Sequence, residues 1–143
     1  MTKGFSPIGE ATRRDVAGAD WHATNMKNMT NFDQPWQMYV TNINWAGTWS
    51  RGIISQQELS LVNMAMLAAN GNLGEFEHHV HNAITRTGVP LEKIRELLLH
   101  IAQYCGIARG TEIWVIARKV LKELNIDGNS VAPLDTSGLY KVD

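Results

Sequence analysis

The chain has 143 residues, 44% of them hydrophobic, which is enough for one core of ordinary domain size. Thirteen Lys+Arg against fourteen Asp+Glu leave a formal net charge of -1 with no basic block, so neither nucleic acid nor an anionic membrane surface is an expected partner. No apolar run approaches the roughly 20 residues needed to cross a bilayer, the first residues lack the apolar stretch of a secretory signal, and the single cysteine, Cys105, excludes an intrachain disulfide or a two-thiol redox pair. The expectation is one cytoplasmic domain spanning residues 1–143.

The first twenty residues mix charge, glycine and serine around Arg13-Arg14 and are expected to form an arm or a short helix. From Asp20 to Trp49 the chain is rich in aromatics: Trp21, Phe32, Trp36, Tyr39, Trp45 and Trp49. Trp36, Tyr39 and Ile43 follow the spacing of one helix face, just after Pro35, which suits a first helical turn. Two helices fit, broken near Asn31-Phe32-Asp33 and ending at Gly47.

Ser55 with Glu58 three residues on forms a capping box, and Gly71 marks the end of the helix it opens. Leu59, Val62, Met66 and Ala69 line one side of that helix, and Leu61, Met64, Ala65 and Ala68 widen the stripe, predicting burial over most of the circumference. The stretch Gly-Glu-Phe-Glu-His-His-Val-His, residues 74–81, opens the next helix, which runs from about Leu73 to Thr87 and is stopped by Gly88. Pro90 starts another, with Leu91, Ile94, Leu98 and Ile101 apolar and Gly106 terminating. A last helix is expected from about Arg109 to Leu124, with Ile113, Ile116, Ala117, Val120 and Leu121 inward. Residues 125–143 are turn-rich and expected to be irregular. With no alternating period-2 segment of useful length, the fold class is all-α: about six helices in antiparallel hairpins, core about 9–124.

Three of the five histidines fall within residues 74–81. At about 100° per residue, His78 points almost directly away from the sector made by Phe76, Val80, Ala83 and Ile84. His79 borders that sector, and His81 lies about 160° from His79, so one helix cannot bring all three onto one ion. Glu75 precedes His79 by four residues and Glu77 precedes His81 by four, both same-face spacings. Partial burial lowers an imidazole pKa and a nearby carboxylate raises it, and a small net shift brings it to the range where protons are traded near neutrality. Glu75 with His79 therefore reads either as a general acid–base unit or as an ordinary solvated pair. A metal site would need further ligands, such as His22 or His100, and His78 and His81 read as a solvated face.

His100 reads as a structural histidine and Cys105 as a small buried residue at a helix end. The band from Trp36 to Trp49 suits core, subunit interface or pocket wall. Arg51, between Trp49 and the cap at Ser55, is either a surface arginine or a bidentate clamp for a substrate carboxylate.

Several stretches together resemble the 4-carboxymuconolactone decarboxylase family, over about Gly9 to Leu124. Arg13, Arg14, Val16 and Gly18 match its Arg-Arg-x-Val-x-Gly segment, and Trp45, Trp49 and Arg51 its Trp-x-x-x-Trp-x-Arg segment. Glu75, Glu77 and His79 match the central Glu-x-Glu-x-His, followed by Ala83, Gly88, Val89, Ile94, Glu96, Tyr104 and Gly106. The combination is specific, although each fragment alone is weak.

The resemblance implies an all-helical subunit that self-associates into a trimeric or hexameric ring. It also implies a carboxy-lyase without metal or organic cofactor, releasing CO2 from a carboxylated muconolactone in aromatic breakdown to give 3-oxoadipate enol-lactone. Peroxidase relatives in the superfamily carry a Cys-x-x-Cys pair before the histidine; here those positions are Asn72 and Glu75, so thiol peroxidase chemistry lacks its nucleophile. Two departures bear on the substrate: Leu59 stands where the family usually has an arginine in the central helix, and Gly106-Ile107-Ala108 replaces its Gly-Val-Pro. The missing arginine argues for one acid group fewer or a different shape.

On this reading His79 transfers the proton, Glu75 or Glu77 sets its tautomer and pKa, Arg51 clamps a carboxylate, and Trp45 with Tyr104 walls the pocket. Three other readings stand beside it: a lyase or isomerase for another lactone or unsaturated acid, a metal-dependent hydrolase or lyase built on the Glu/His cluster, and a non-catalytic ring-forming binding protein.

Overall fold

The computed structural model describes residues 4–135. Seven α-helices are formed and no strand occurs among the described residues: α1 (Pro7–Ala17), α2 (Ala19–Asn28), α3 (Gln34–Tyr39), α4 (Gln56–Asn70), α5 (Leu73–Thr85), α6 (Leu91–Cys105) and α7 (Ile107–Glu123). The all-α expectation is met, and the N-terminal segment is a true helix rather than an arm.

The second half of the chain is a four-helix unit. Ser55 and Glu58 close a capping box on α4, Gly71 ends it at φ 78, and the two-residue link to α5 leaves the pair packed side by side. Gly106 plays both parts between α6 and α7, ending one and opening the next at φ 92. α4 packs on α6 and α5 on α7 as well. The core they enclose is Met64, Ala68, Phe76, Val80, Ala83, Ile94, Leu98, Ile101, Ile113, Ala117 and Val120, the positions that recur at helical spacing in each segment.

The first half forms a smaller lobe on this unit. Ser6 caps α1 by accepting a hydrogen bond from the Gly9 amide, with Pro7 in the first turn. The helix that begins at α3 does not continue regularly to Gly47: Val40–Trp45 is wound as a π-helix, followed by a short 3-10 turn, Trp49–Arg51. The wider winding turns Trp45 and Trp49 into the interior, where they pack with Val16, Val40 and Leu59. α1 lies so close to this segment that a side chain on Gly9 would sit 2.3 Å from the Thr41 carbonyl oxygen. The expected basic pair divides its roles. Arg13 is buried and donates to Thr41 Oγ1 (3.1 Å) and Gln37 Oε1 (2.8 Å), tying α1 to α3 and the π-helix, while Arg14 is exposed.

Four expectations are corrected. In α4 only Ser60, Met64 and Ala68 are buried; Val62 and Met66 are exposed, because α5 and α6 cover one side of the helix and none of the described residues covers these two positions. Cys105 is exposed rather than buried, lying beside exposed Tyr104 at the end of α6. α7 starts two residues early, at Ile107. The tail is not wholly irregular: Gly128–Ser130 forms a 3-10 turn, and Arg95 holds the strand of chain after it by donating to the Ala132 carbonyl at 2.7 Å. The expectation for residues 136–143 lies outside the described residues.

Candidate active site

α5 buries Phe76, Val80 and Ala83 against the four-helix core. The adjoining face carries Glu75, His79, Asn82 and Arg86, spaced i, i+4, i+7 and i+11 along one side of the helix and just past its end. This face lines a cavity of about 530 Å3. The opposite wall is the corner between α1 and α2, contributing Val16, Ala17, Gly18, Asp20 and Trp21, with Trp45 beside them.

His79 is half-buried, and its imidazole lies against the indole of Trp49, ring centroids 6.4 Å apart and planes 29° from parallel. Trp49 in turn packs on Trp45 at 5.3 Å. This ladder removes water from the imidazole, and burial pushes the His79 pKa below its ordinary 6.5; the Glu75 carboxylate opposes the shift and His78 adds to it. Glu75 acts through its charge, since no hydrogen bond joins it to His79 among the described residues.

The other expected site residues are placed as follows. Glu77 faces away from the cavity and ion-pairs with Lys119 of α7, so it neither orients His79 nor pairs with His81. His81 Nδ1 instead lies 3.4 Å from Asn82 Oδ1 and Thr85 Oγ1. His78 and His81, expected to be a solvated face, also line the cavity. Arg51 is exposed in the 3-10 turn and Tyr104 is exposed at the end of α6, its ring against His100 at 4.7 Å; neither lines the cavity within one chain. His100 is thus exposed and not a buried structural histidine. His22 is buried against Glu10 at 3.9 Å, and among the described residues no three histidine, cysteine, aspartate or glutamate side chains are grouped to hold a metal ion.

Sequence reasoning missed Asn82, Arg86, Asp20 and the wall position of Trp21. The first two follow from extending the Glu75–His79 spacing along the helix, a signal that was legible. The α1–α2 corner carries no such local signal. Leu59, at the departure noted in α4, packs on Val16, Trp45 and Trp49, so the cavity is apolar on that flank.

A second cavity, about 470 Å3, lies among α5, α6, α7 and residues 128–133. Its walls are mainly apolar, with Arg95 and Arg118, and it includes none of Glu75, His79 or Trp45.

Residues 34–119 match the carboxymuconolactone decarboxylase family. The chain is 30% identical over 118 residues to 4-carboxymuconolactone decarboxylase of Acinetobacter baylyi, covering 82% of this chain and 87% of that protein. It is 28% identical over 125 residues to nitrosuccinic acid decarboxylase of Metarhizium robertsii, covering 87% of each.

Proposed function

Because the chain belongs to the carboxymuconolactone decarboxylase family, we propose that it is a carboxy-lyase that releases CO2 from a small organic acid by acid–base chemistry, with His79 as the catalytic residue and no cofactor. The observation that carries the proposal is His79 itself: a half-buried imidazole, stacked on Trp49, at the wall of a cavity that has an apolar side and a neighbouring carboxylate.

The chemistry follows from what such a site can do. When the bond to the carboxylate breaks, CO2 departs and the electron pair passes into an adjacent acceptor on the substrate, such as a conjugated lactone carbonyl. The carboxylate loses its charge in this step, so a poorly hydrated wall of Val16, Ala17 and Trp45 favours departure over binding. The carbanion equivalent then takes a proton on carbon. His79, whose depressed pKa makes its imidazolium a readier donor, supplies that proton and recovers one from water. General acid catalysis of this kind contributes about 10²–10⁴-fold. Glu75 keeps the protonated form accessible by opposing the effect of burial.

A carboxymuconolactone is the first substrate to test, and the relatives' names widen the panel. One acts on a carboxymuconolactone and the other on nitrosuccinic acid; in both, a carboxyl group is placed where a lactone or nitro group can accept the electron pair. A lyase for another lactone, unsaturated or nitro acid is therefore the second reading. Assembly into a ring is part of the proposal. Support comes from Val62 and Met66 on α4, Trp36 and Tyr39 on α3, and Tyr104 and Ile107 at the α6–α7 junction, all exposed in the single chain. Arg51 and Tyr104 keep the substrate contacts expected of them if they are delivered to a neighbouring subunit's cavity.

The test is CO2 release from a panel of carboxylated lactones and nitro acids by wild type and His79→Gln. Loss of about 10²-fold or more in kcat for the variant supports the assignment. Equal rates remove His79 from the chemistry, and no turnover of any panel member removes the lyase.

A further inference from the structure

We infer that Arg86 anchors a carboxylate that stays on the substrate while another leaves as CO2, so that the cavity selects acids bearing two anionic groups; the inference rests on the carboxy-lyase reading above. Arg86 is the single guanidinium or ammonium among the residues lining the cavity. It stands on the same face of α5 as His79, seven residues on, a rise of roughly 10 Å along the helix. Two flexible or planar side chains leaning over that distance hold the two ends of one small molecule.

The position of the guanidinium is built by the opposite wall. Nη2 lies 3.1 Å, and Cζ and Nε 3.4 Å, from where a Cβ on Gly18 would sit. The absence of a side chain at Gly18 is thus what lets the guanidinium pack against the α1–α2 corner. Gly18 is itself held to glycine by its φ of 103. Placed there on the cavity wall, the guanidinium fork can bind a carboxylate through two parallel N–H donors.

No carboxylate of the described residues pairs with Arg86. The two in the cavity have other roles: Asp20 sits in the first turn of α2, where a helix N-terminus favours negative charge, and Glu75 in the first turn of α5, one turn before His79. The cavity is therefore polarised. Its Trp45 flank is apolar and suits a carboxylate about to become neutral CO2, and its Arg86 end is exposed and cationic, suiting a carboxylate that remains charged throughout. This arrangement fixes which of two carboxyl groups is lost.

The experiment is calorimetric titration of the protein with glutarate and, separately, with its uncharged diamide, glutaramide, in wild type, Arg86→Met and Arg86→Lys, with circular dichroism to confirm folding. Wild type should bind glutarate about 10- to 100-fold more tightly than glutaramide, the range for a charge-assisted hydrogen-bonded pair. Arg86→Met should erase that preference, and Arg86→Lys should keep part of it. Absence of any preference in wild type, or its persistence in Arg86→Met, overturns the anchor. CO2 release is read in parallel on the lyase panel. If a glutarate preference is lost in Arg86→Met while no acid is decarboxylated, the anchor stands and the lyase reading falls. If CO2 is released at unchanged KM in Arg86→Met, the anchor falls and the lyase reading stands.

Discussion

His79 rests its imidazole against the indole of Trp49, with ring centroids 6.4 Å apart and planes 29° from parallel. The contact joins two halves of the chain: Trp49 belongs to the short turn after the π-helix, and His79 to the middle of α5. It accounts for the direction of the histidine's pKa shift, since an aromatic plate over the ring replaces water without supplying a charge. Trp49→Ala should therefore return the His79 pKa toward 6.5, as followed by the NMR shift of its ring protons against pH. The same substitution should cost about 3–5 kcal/mol of stability, typical of deleting a buried aromatic; an unchanged titration would show that Trp49 is packing alone.

The helices were legible because their signals are local. The capping box at Ser55 and Glu58, the stops at Gly71 and Gly106, and the spacing of Phe76, Val80 and Ala83 need nothing beyond neighbouring residues. The site was legible only on the side that α5 supplies. Glu75 with His79 was visible as a spacing, while Gly18 and Trp21 reach the cavity through packing of α1 and α2 against a helix far along the chain. Glu77 was misread for the same reason. Its spacing to His81 is as good as that of Glu75 to His79, but Lys119 of α7 captures it, a competition that one helix cannot reveal.

That contrast separates the two carboxylates. Glu75→Gln removes the charge that opposes desolvation, so the His79 pKa should fall further and the rate of proton delivery at neutral pH should drop. Glu77→Gln should leave the His79 titration in place and lower the pKa of Lys119, whose shift upward is caused first by its hydrogen bond to Glu77. Both variants are checked by NMR titration alongside CO2 release. A larger loss of rate in Glu77→Gln than in Glu75→Gln would reverse the assignment.

Two histidines make stability depend on pH in one direction. His79 and His22 both have folded pKa values below the 6.5 of an exposed imidazole, each chiefly through burial; for His22, Arg13 and Arg14 add to the lowering and Glu10 opposes it. Between the lowered folded value and 6.5 the unfolded chain binds more protons than the folded one, so stability rises with pH across that window and is lost as pH falls through it. Above 6.5 neither histidine contributes a slope. Urea unfolding from pH 7.5 down to pH 5 should show a falling midpoint, and His22→Gln should flatten part of the decline. A midpoint that rises on acidification would contradict both shifts.

The rate follows a related rule with the opposite sign. If the imidazolium of His79 delivers the proton, kcat/KM should climb as pH falls below 6.5 and level off once the ring is fully protonated, over the range where the protein stays folded. His79→Gln should abolish this limb. A kcat/KM that declines with acidification in step with the His79 titration would make the neutral ring the active form, and His79 a base.

Subunit mixing tests whether the residues missing from the cavity arrive from a neighbour. Arg51 belongs to the family-like Trp45, Trp49, Arg51 segment, yet it is exposed and lies outside the cavity lining, whereas Trp45 lines the cavity and Trp49 packs on Trp45 and His79. If Arg51 clamps a substrate carboxylate, its exposure requires that it do so across a subunit boundary. Arg51→Ala and His79→Gln should each be nearly inactive alone. Unfolded together in equal amounts and refolded, they should recover about a quarter of wild-type activity, because one site in four then pairs an intact His79 with a neighbour's intact Arg51. Recovery that stays at the sum of the two separate variants would confine the site to one chain. Light scattering on the same samples reads the assembly: a monomer would leave Val62, Met66 and Tyr104 exposed to water and would remove the boundary across which Arg51 must act.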